Sequence, residues 1–248
     1  MDANYTFQIP QALTQEECLE IETKVQDLRG YWIKRDQFGL YTLGAAAYLD
    51  APDRKTSKHF KLPEVDPNQY YENVKKFNPI LRESFGWLYQ KLSFVLSEQL
   101  KSKNRLYPNT GYPGFHIFSP SPEYAHSTSH TPHFDRQFTS LNWNRAREID
   151  FRSSISFTLA IRLPHSGGGL GMWDIDYYKI MGVSKQKAKE FIRSKKKKTY
   201  SYQLGGLICH NGNYLHQIMP WKAQNENDYR ITIQGHGLFF DGFWNLYW

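Results

Sequence analysis

The stretch that most constrains this chain is 155–163, where Ile155, Phe157, Leu159, Ile161 and Leu163 alternate without a break with Ser156, Thr158, Ala160 and Arg162. An extended backbone points successive side chains to opposite faces and so turns this period of two into one apolar face. Segment 229–238 repeats the arrangement with sharper contrast: Arg230, Thr232, Gln234 and His236 share one face, Ile231 and Ile233 the other. A barrel with a polar lumen and helices packed outside would show this pattern.

Further strands are expected over 202–209 and 214–221, separated by Asn211-Gly212-Asn213 and by the polar segment 223–228, both of which supply turn chemistry. The expected arrangement is one of hairpins, with 214–221 paired to 229–238. Upstream the period changes. Thr14 and Glu17 have the form of a capping box ahead of Cys18, Leu19, Ile21, Val25 and Leu28, which predicts an amphipathic helix over 14–28. Leu81, Phe85, Leu88, Leu92, Val95, Leu96 and Leu100 predict a second over about 78–101, with an apolar face broad enough to cover a sheet. Residues 174–200 read as an insertion, helical over Ser184 to Lys198, serving either as an active-site lid or as an edge cover.

The reading is therefore of one domain, 1–248: a mostly helical support over 1–110, a β core over 111–238 and an aromatic tail over 239–248. Phe239, Phe240, Phe243, Trp244, Tyr247 and Trp248 of that tail suit core or a subunit interface, so a homodimer is compatible. With 40% hydrophobic and 16% aromatic residues the chain has enough apolar surface to fold, which excludes disorder. Cys18 and Cys209 form no CxxC pair, so neither a disulfide framework nor a thiolate zinc site is indicated. The first 30 residues lack a basic start followed by an apolar run, and no apolar stretch reaches membrane-spanning length, so a cytoplasmic location without membrane contact is expected. Much of the net charge of +7 lies in Lys195–Lys198 and its neighbours Lys185, Lys187, Lys189 and Arg193, which fits a solvated helix face better than a site for an acidic partner.

His133-Phe134-Asp135 places an imidazole and a carboxylate two residues apart, on one face of an extended backbone, where they can share a metal. Alone this means little: with 9 histidines and 24 acidic residues in 248, about one such match is expected by chance. Weight comes from order, because Gly167-Gly168-Gly169-Leu170, then His216, then Arg230 follow it. Two histidines and one carboxylate suit Fe(II) with coordination positions left open for a bidentate co-substrate and O₂. His210 competes with His216 but stands beside the Asn211-Gly212 turn, and His216 is preferred. In the expected hairpin, with its turn near residue 225, His216 faces Gln234 and Arg230 lies on the same face, about 13 Å along the backbone. An arginine and a five-carbon dicarboxylate laid end to end span such a gap.

Together, His133-Phe134-Asp135, Gly168-Gly169-Leu170, His216 and Arg230-Ile231-Thr232 resemble the prolyl-hydroxylase-like branch of the 2-oxoglutarate and Fe(II)-dependent dioxygenases, over about 112–238. The resemblance implies a mainly β fold with flanking α: a double-stranded β-helix (jelly-roll) core packed by N-terminal helices. It implies His133, Asp135 and His216 as the iron ligands and catalytic centre, with Arg230 and Thr232 holding 2-oxoglutarate. The implied reaction releases succinate and CO₂ while O₂ oxidises a C–H bond, by hydroxylation before desaturation or ring closure, because Asp135 fills the position that a halogenase leaves for chloride. The expected substrate is a small molecule, an amino acid or a peptide.

Three alternatives stand beside this reading. Nucleic-acid demethylation on the same core is disfavoured, because relatives in that role carry a second arginine six residues after the first, where this chain has His236. A non-catalytic binding module would not need all four site residues, and a cupin-like isomerase or zinc hydrolase gives no reason for Arg230. His116 and His236 suit contacts near the ligands or satisfied core positions, His126 and His130 a polar loop or the mouth of the site, and Trp173 packing.

Overall fold

The computed structural model describes residues 6–36, 39–51, 68–119, 131–143, 149–222, 225 and 227–248. His126 and His130 lie outside the described residues. Helix α1, Gln15–Asp27, begins as its sequence requires: the Thr14 hydroxyl accepts from the Glu17 amide at 3.2 Å and the Glu17 carboxylate accepts from the Thr14 amide at 2.8 Å. A four-residue helix, α2 (Ala47–Asp50), precedes the long α3, Gln69–Leu100. The start of α3 corrects the expected 78. Pro79 lacks the amide that a helix interior uses, yet the buried stripe runs back through Phe77, Val74 and Tyr70, and this packing carries the helix past it. The helix departs from regular geometry at Phe85 (φ −129°, ψ 23°).

The strands are β1 (Phe7–Ile9), β2 (Ile33–Lys34), β3 (Leu40–Leu43), β4 (Asn104–Leu106), β5 (Gly114–Phe118), β6 (Ser154–Arg162) and β7 (Ser166–Gly167). They continue with β8 (Gly169–Asp176), β9 (Lys197–Ser201), β10 (Leu207–His210), β11 (Tyr214–Ile218), β12 (Trp221–Lys222), β13 (Arg230–Phe240) and β14 (Phe243–Tyr247). Four of them lie in the segment expected to be mostly helical. Strands of two to four residues are too short for a period of two to be legible.

A nine-stranded sheet runs β1-β10-β6-β13-β5-β3-β2, with β14 on β13 and β4 on β14. A smaller sheet, β11-β8-β9, and the pair β12-β7 complete a double-stranded β-helix. Strand β13 is its axis: one edge pairs with β6 along most of its length, and the other is shared by β5 (230–234) and β14 (236–240). Its outward Ile231 and Ile233 join Phe157, Leu159, Phe115 and Ile117 in a core covered by Ile21 and Val25 of α1 and by Leu81, Phe85 and Leu88 of α3. A second apolar cluster, Ala160, Leu170, Met172, Tyr202 and Ile208, packs against the inner side of the large sheet.

The expected hairpin between 214–221 and 229–238 is overturned. Residues 214–218 form β11, which pairs with β8 so that His216 opposes Met172 rather than Gln234, and 221–222 pair with β7. Both segments alternate similarly, and alternation names a face without naming a partner. The strand expected over 202–209 is confined to 207–210. The insertion covers a sheet edge: the chain leaves β8 through the short helix α4 (Tyr177–Ile180) and α5 (Lys185–Ser194), then returns as β9 along β8. Its helix stops at 194, and Lys197 and Lys198 belong to the returning strand. Gly167 and Gly169, both at positive φ, make the turn into β8, where added Cβ atoms would lie 2.7 Å from the Pro220 carbonyl and 2.6 Å from that of Tyr200.

The aromatic end of the chain is core. Trp244, Leu246, Tyr247 and Trp248 are buried, and the Trp248 ring lies against Gly114 and His116. No described helix is long and apolar enough to cross a membrane. A Cβ at Gly114 would stand 2.1 Å from the Trp248 ring, so Gly114→Ala should displace that ring and cost about 1–3 kcal/mol, read as a lowered urea midpoint. An unchanged midpoint would contradict the packing.

Candidate metal centre

Segment 131–136 has no strand of its own and is stitched to β11 by main-chain bonds. The His133 amide donates to the His216 carbonyl at 2.9 Å and the His216 amide returns the bond at 3.0 Å, an antiparallel bridge that sets both imidazoles on one face. Two residues on, the Asp135 amide donates to the Gly212 carbonyl at 2.9 Å, which turns the carboxylate to that same face. The ligating atoms of His133, Asp135 and His216 lie within 4.8 Å of one another.

The imidazoles are oriented for this. His133 Nδ1 lies 2.9 Å from the Thr131 carbonyl and His216 Nδ1 2.9 Å from the Tyr214 carbonyl. Carbonyls only accept, so each Nδ1 carries the hydrogen and each Nε2 presents a lone pair. His216 Nε2 stands 3.2 Å from Asp135 Oδ2 and His133 Nε2 3.9 Å from Asp135 Oδ1. Three acceptors thus converge, and Asp135 Oδ2, though buried, has no hydrogen-bond partner. A cation between them satisfies all three, so the donor set fits Fe(II).

The electrostatics agree. Burial alone would raise the Asp135 pKa, but the imidazoles of His216 and His236 outweigh it and hold the carboxyl well below its ordinary range. Burial likewise disfavours a charged His216, yet Asp135 lifts its pKa. A buried carboxylate that stays charged beside imidazoles marks a place where positive charge is favoured. His210, which competes for the role, is buried with its ring 4.5 Å from that of His216 and its Nδ1 on the Asn211 carbonyl; burial and then His216 push its pKa down to about 3. It lies outside the convergent trio.

Arg230 lies on the inner face of β13, 1% exposed, its guanidinium 4.8 Å from the centre of the Phe118 ring and 5.2 Å from that of Tyr202. Its Nε and Nη1 have no hydrogen-bond partner. A buried guanidinium with unused donors costs several kcal/mol and calls for an anion. Tyr202, whose hydroxyl is bonded to Thr158, faces Arg230, and Arg230 shares the inner face of β13 with His236, whose Nδ1 lies 3.8 Å from Asp135 Oδ2, so one face of the sheet links the two. Thr232 follows on the same face, buried between His116 and Ala160 on the flanking strands. Phe118 and Tyr202 escaped the sequence reading, since Tyr202 reads as the start of the strand expected over 202–209 and Phe118 as an ordinary strand aromatic.

No family model matches the chain, and no curated protein does. Solved structures do. The α-ketoglutarate-dependent epimerase SnoN of nogalamycin biosynthesis matches with a TM-score of 0.56 over 94% of this chain and 77% of its own, at 11% identity. The non-haem α-ketoglutarate-dependent carbocyclase SnoK of the same biosynthesis gives 0.54 over 99% and 93%, at 10% identity. AviO1 from Streptomyces viridochromogenes Tue57 gives 0.51 over 96% and 91%, at 12% identity. At such identities the likeness is one of fold: this chain has the double-stranded β-helix fold of 2-oxoglutarate-dependent non-haem iron enzymes.

An unpaired buried charge makes a direct prediction. Arg230→Met should leave the metal-free protein as stable as the parent or more so, because it removes an uncompensated guanidinium, whereas loss of a structural ion pair would cost about 3–5 kcal/mol. Urea unfolding of the two proteins distinguishes these outcomes.

Proposed function

We propose that this chain is a 2-oxoglutarate-dependent, non-haem Fe(II) dioxygenase that oxidises a C–H bond of a small molecule, amino acid or peptide, most simply by hydroxylation. The observation that carries the reading is the pairing, on one inner face, of three convergent acceptors with a buried arginine that has no acidic partner among the described residues. Either half alone would suit several kinds of site. Together they call for a cation and a dicarboxylate.

His133 and His216, through Nε2, and Asp135, through its carboxylate, would hold Fe(II), and Arg230 would take the distal carboxylate of 2-oxoglutarate with Thr232 beside it. When bound, iron and 2-oxoglutarate supply the activation of O₂, coupled to loss of CO₂ and formation of succinate. The protein's own part is orientation and exclusion of water. The carbonyls of Thr131 and Tyr214 hold the Nε2 lone pairs inward, and the rings of Phe118 and Tyr202 keep the guanidinium dry, where its charge acts at low dielectric.

SnoN has been solved with Fe3+, α-ketoglutarate and nogalamycin RO, which supports a small-molecule substrate over a macromolecular one. Its epimerase activity, and the carbocyclase activity of SnoK, make stereoinversion and ring closure the second reading. Product analysis separates these from hydroxylation.

Under argon, Fe(II) and 2-oxoglutarate together should give the parent protein a visible charge-transfer band. Asp135→Ala should lack it, and Arg230→Met should need far more 2-oxoglutarate to develop it. In air, a substrate library should release succinate from the parent and none from Asp135→Ala. Equal succinate from both would sink the reading.

A further inference from the structure

Six residues beyond Arg230 on the same inner face of β13 stands His236, at the metal end of the lumen. It belongs to a rung that crosses the large sheet: Tyr247, His236, Ser156 and His210 are successive cross-strand partners on β14, β13, β6 and β10. All four are buried, none more than 3% exposed. A row of polar side chains sealed from water is sustained by hydrogen bonds such as those of His236 to Ser156 and of His210 to the Asn211 carbonyl.

Asp135 rests on this rung. His236 Nδ1 lies 3.8 Å from Asp135 Oδ2 and 2.9 Å from the Ser156 hydroxyl. Gly212, whose carbonyl receives the Asp135 amide, closes the corner: a Cβ there would stand 3.0 Å from Ser156 Oγ and 3.5 Å from Asp135 Cβ. The carboxylate is thus confined by backbone on one side and by an imidazole, itself seated on a serine, on another.

We propose that His236, backed by Ser156, is a positioning residue that holds the Asp135 carboxylate turned toward His133 and His216. The proposal rests on the iron reading above, but it concerns a residue outside the ligand set. Full hydrogen-bond contact is not required in the metal-free protein. At 3.8 Å the imidazole restricts carboxylate rotation by bulk and by the dipole of its ring edge, and a small turn of either group closes the gap. Groups that orient metal ligands in this way govern affinity more than fold.

The test uses Co(II) as the metal probe, with binding affinity and the visible spectrum of the Co(II) protein measured anaerobically alongside a urea midpoint. His236→Phe keeps a ring but no polar edge. It should bind Co(II) about 10- to 100-fold more weakly than the parent, with an altered spectrum. His236→Gln restores an N–H and should recover much of the loss, and Ser156→Ala should weaken binding by a smaller factor. Because the two residues act in series, Ser156→Ala should add little to His236→Phe. Parent-like affinity and spectrum in His236→Phe overturn the proposal while leaving the iron reading intact. A parent that binds neither Co(II) nor Fe(II) overturns both. Should His236→Phe fail to fold, parent-like binding by Ser156→Ala and His236→Gln together overturns it.

Discussion

The reciprocal hydrogen bonds between His133 and His216 are the joint on which this molecule's site depends. They fasten a segment that belongs to no strand onto β11, a strand of the small sheet. An antiparallel bridge of this kind leaves almost no freedom in relative position, so two imidazoles far apart in sequence become neighbours with ring centres 4.4 Å apart. The bond from Asp135 to Gly212 extends the same stitching by one step. Three side chains are brought together by main-chain bonds, which hold them poised for a shared cation.

Strand β13 serves two purposes at once. Its outward residues, Ile231 and Ile233, are bound into the core beneath α1 and α3, and the resulting apolar burial anchors the strand. Its inward residues can therefore include a guanidinium with no acidic partner among the described residues, a placement that weaker anchoring would not sustain. The edge shared between β5 and β14 fits the same logic, since it leaves no part of β13 free to shift register. The arrangement has the form of preorganisation: the cost of burying charge is met on folding rather than at the moment of binding.

The long addition to the fold covers a sheet edge and also touches the segment that carries Asp135, since the Tyr177 ring lies 5.5 Å from that of Phe134 and under the Arg136 guanidinium. The α4-α5 excursion ends as β9 on the edge of the small sheet, where Lys197 and Lys198 lie over Trp173 and Tyr200. An otherwise open strand edge is thereby paired and fringed with charge, which disfavours edge-to-edge association.

The sequence by itself determined which face of each long strand is apolar and the cap and stripe of α1, and it singled out His133, Asp135, His216 and Arg230 as candidates for the site. Alternation, helical spacing and a cap all act within one element, and the candidate set came from the order of features along the chain. Which strands pair was beyond its reach, and the hairpin expected from alternation put His216 opposite Gln234 when it opposes Met172. Only the tertiary structure decided that His133 and His216 share a bridge, that Phe118 and Tyr202 enclose Arg230, that Trp248 fills the space beside Gly114, and that His236 stands behind Asp135. Each depends on contact between residues distant in the chain, and a period within one segment carries no information about which distant segment its side chains will meet.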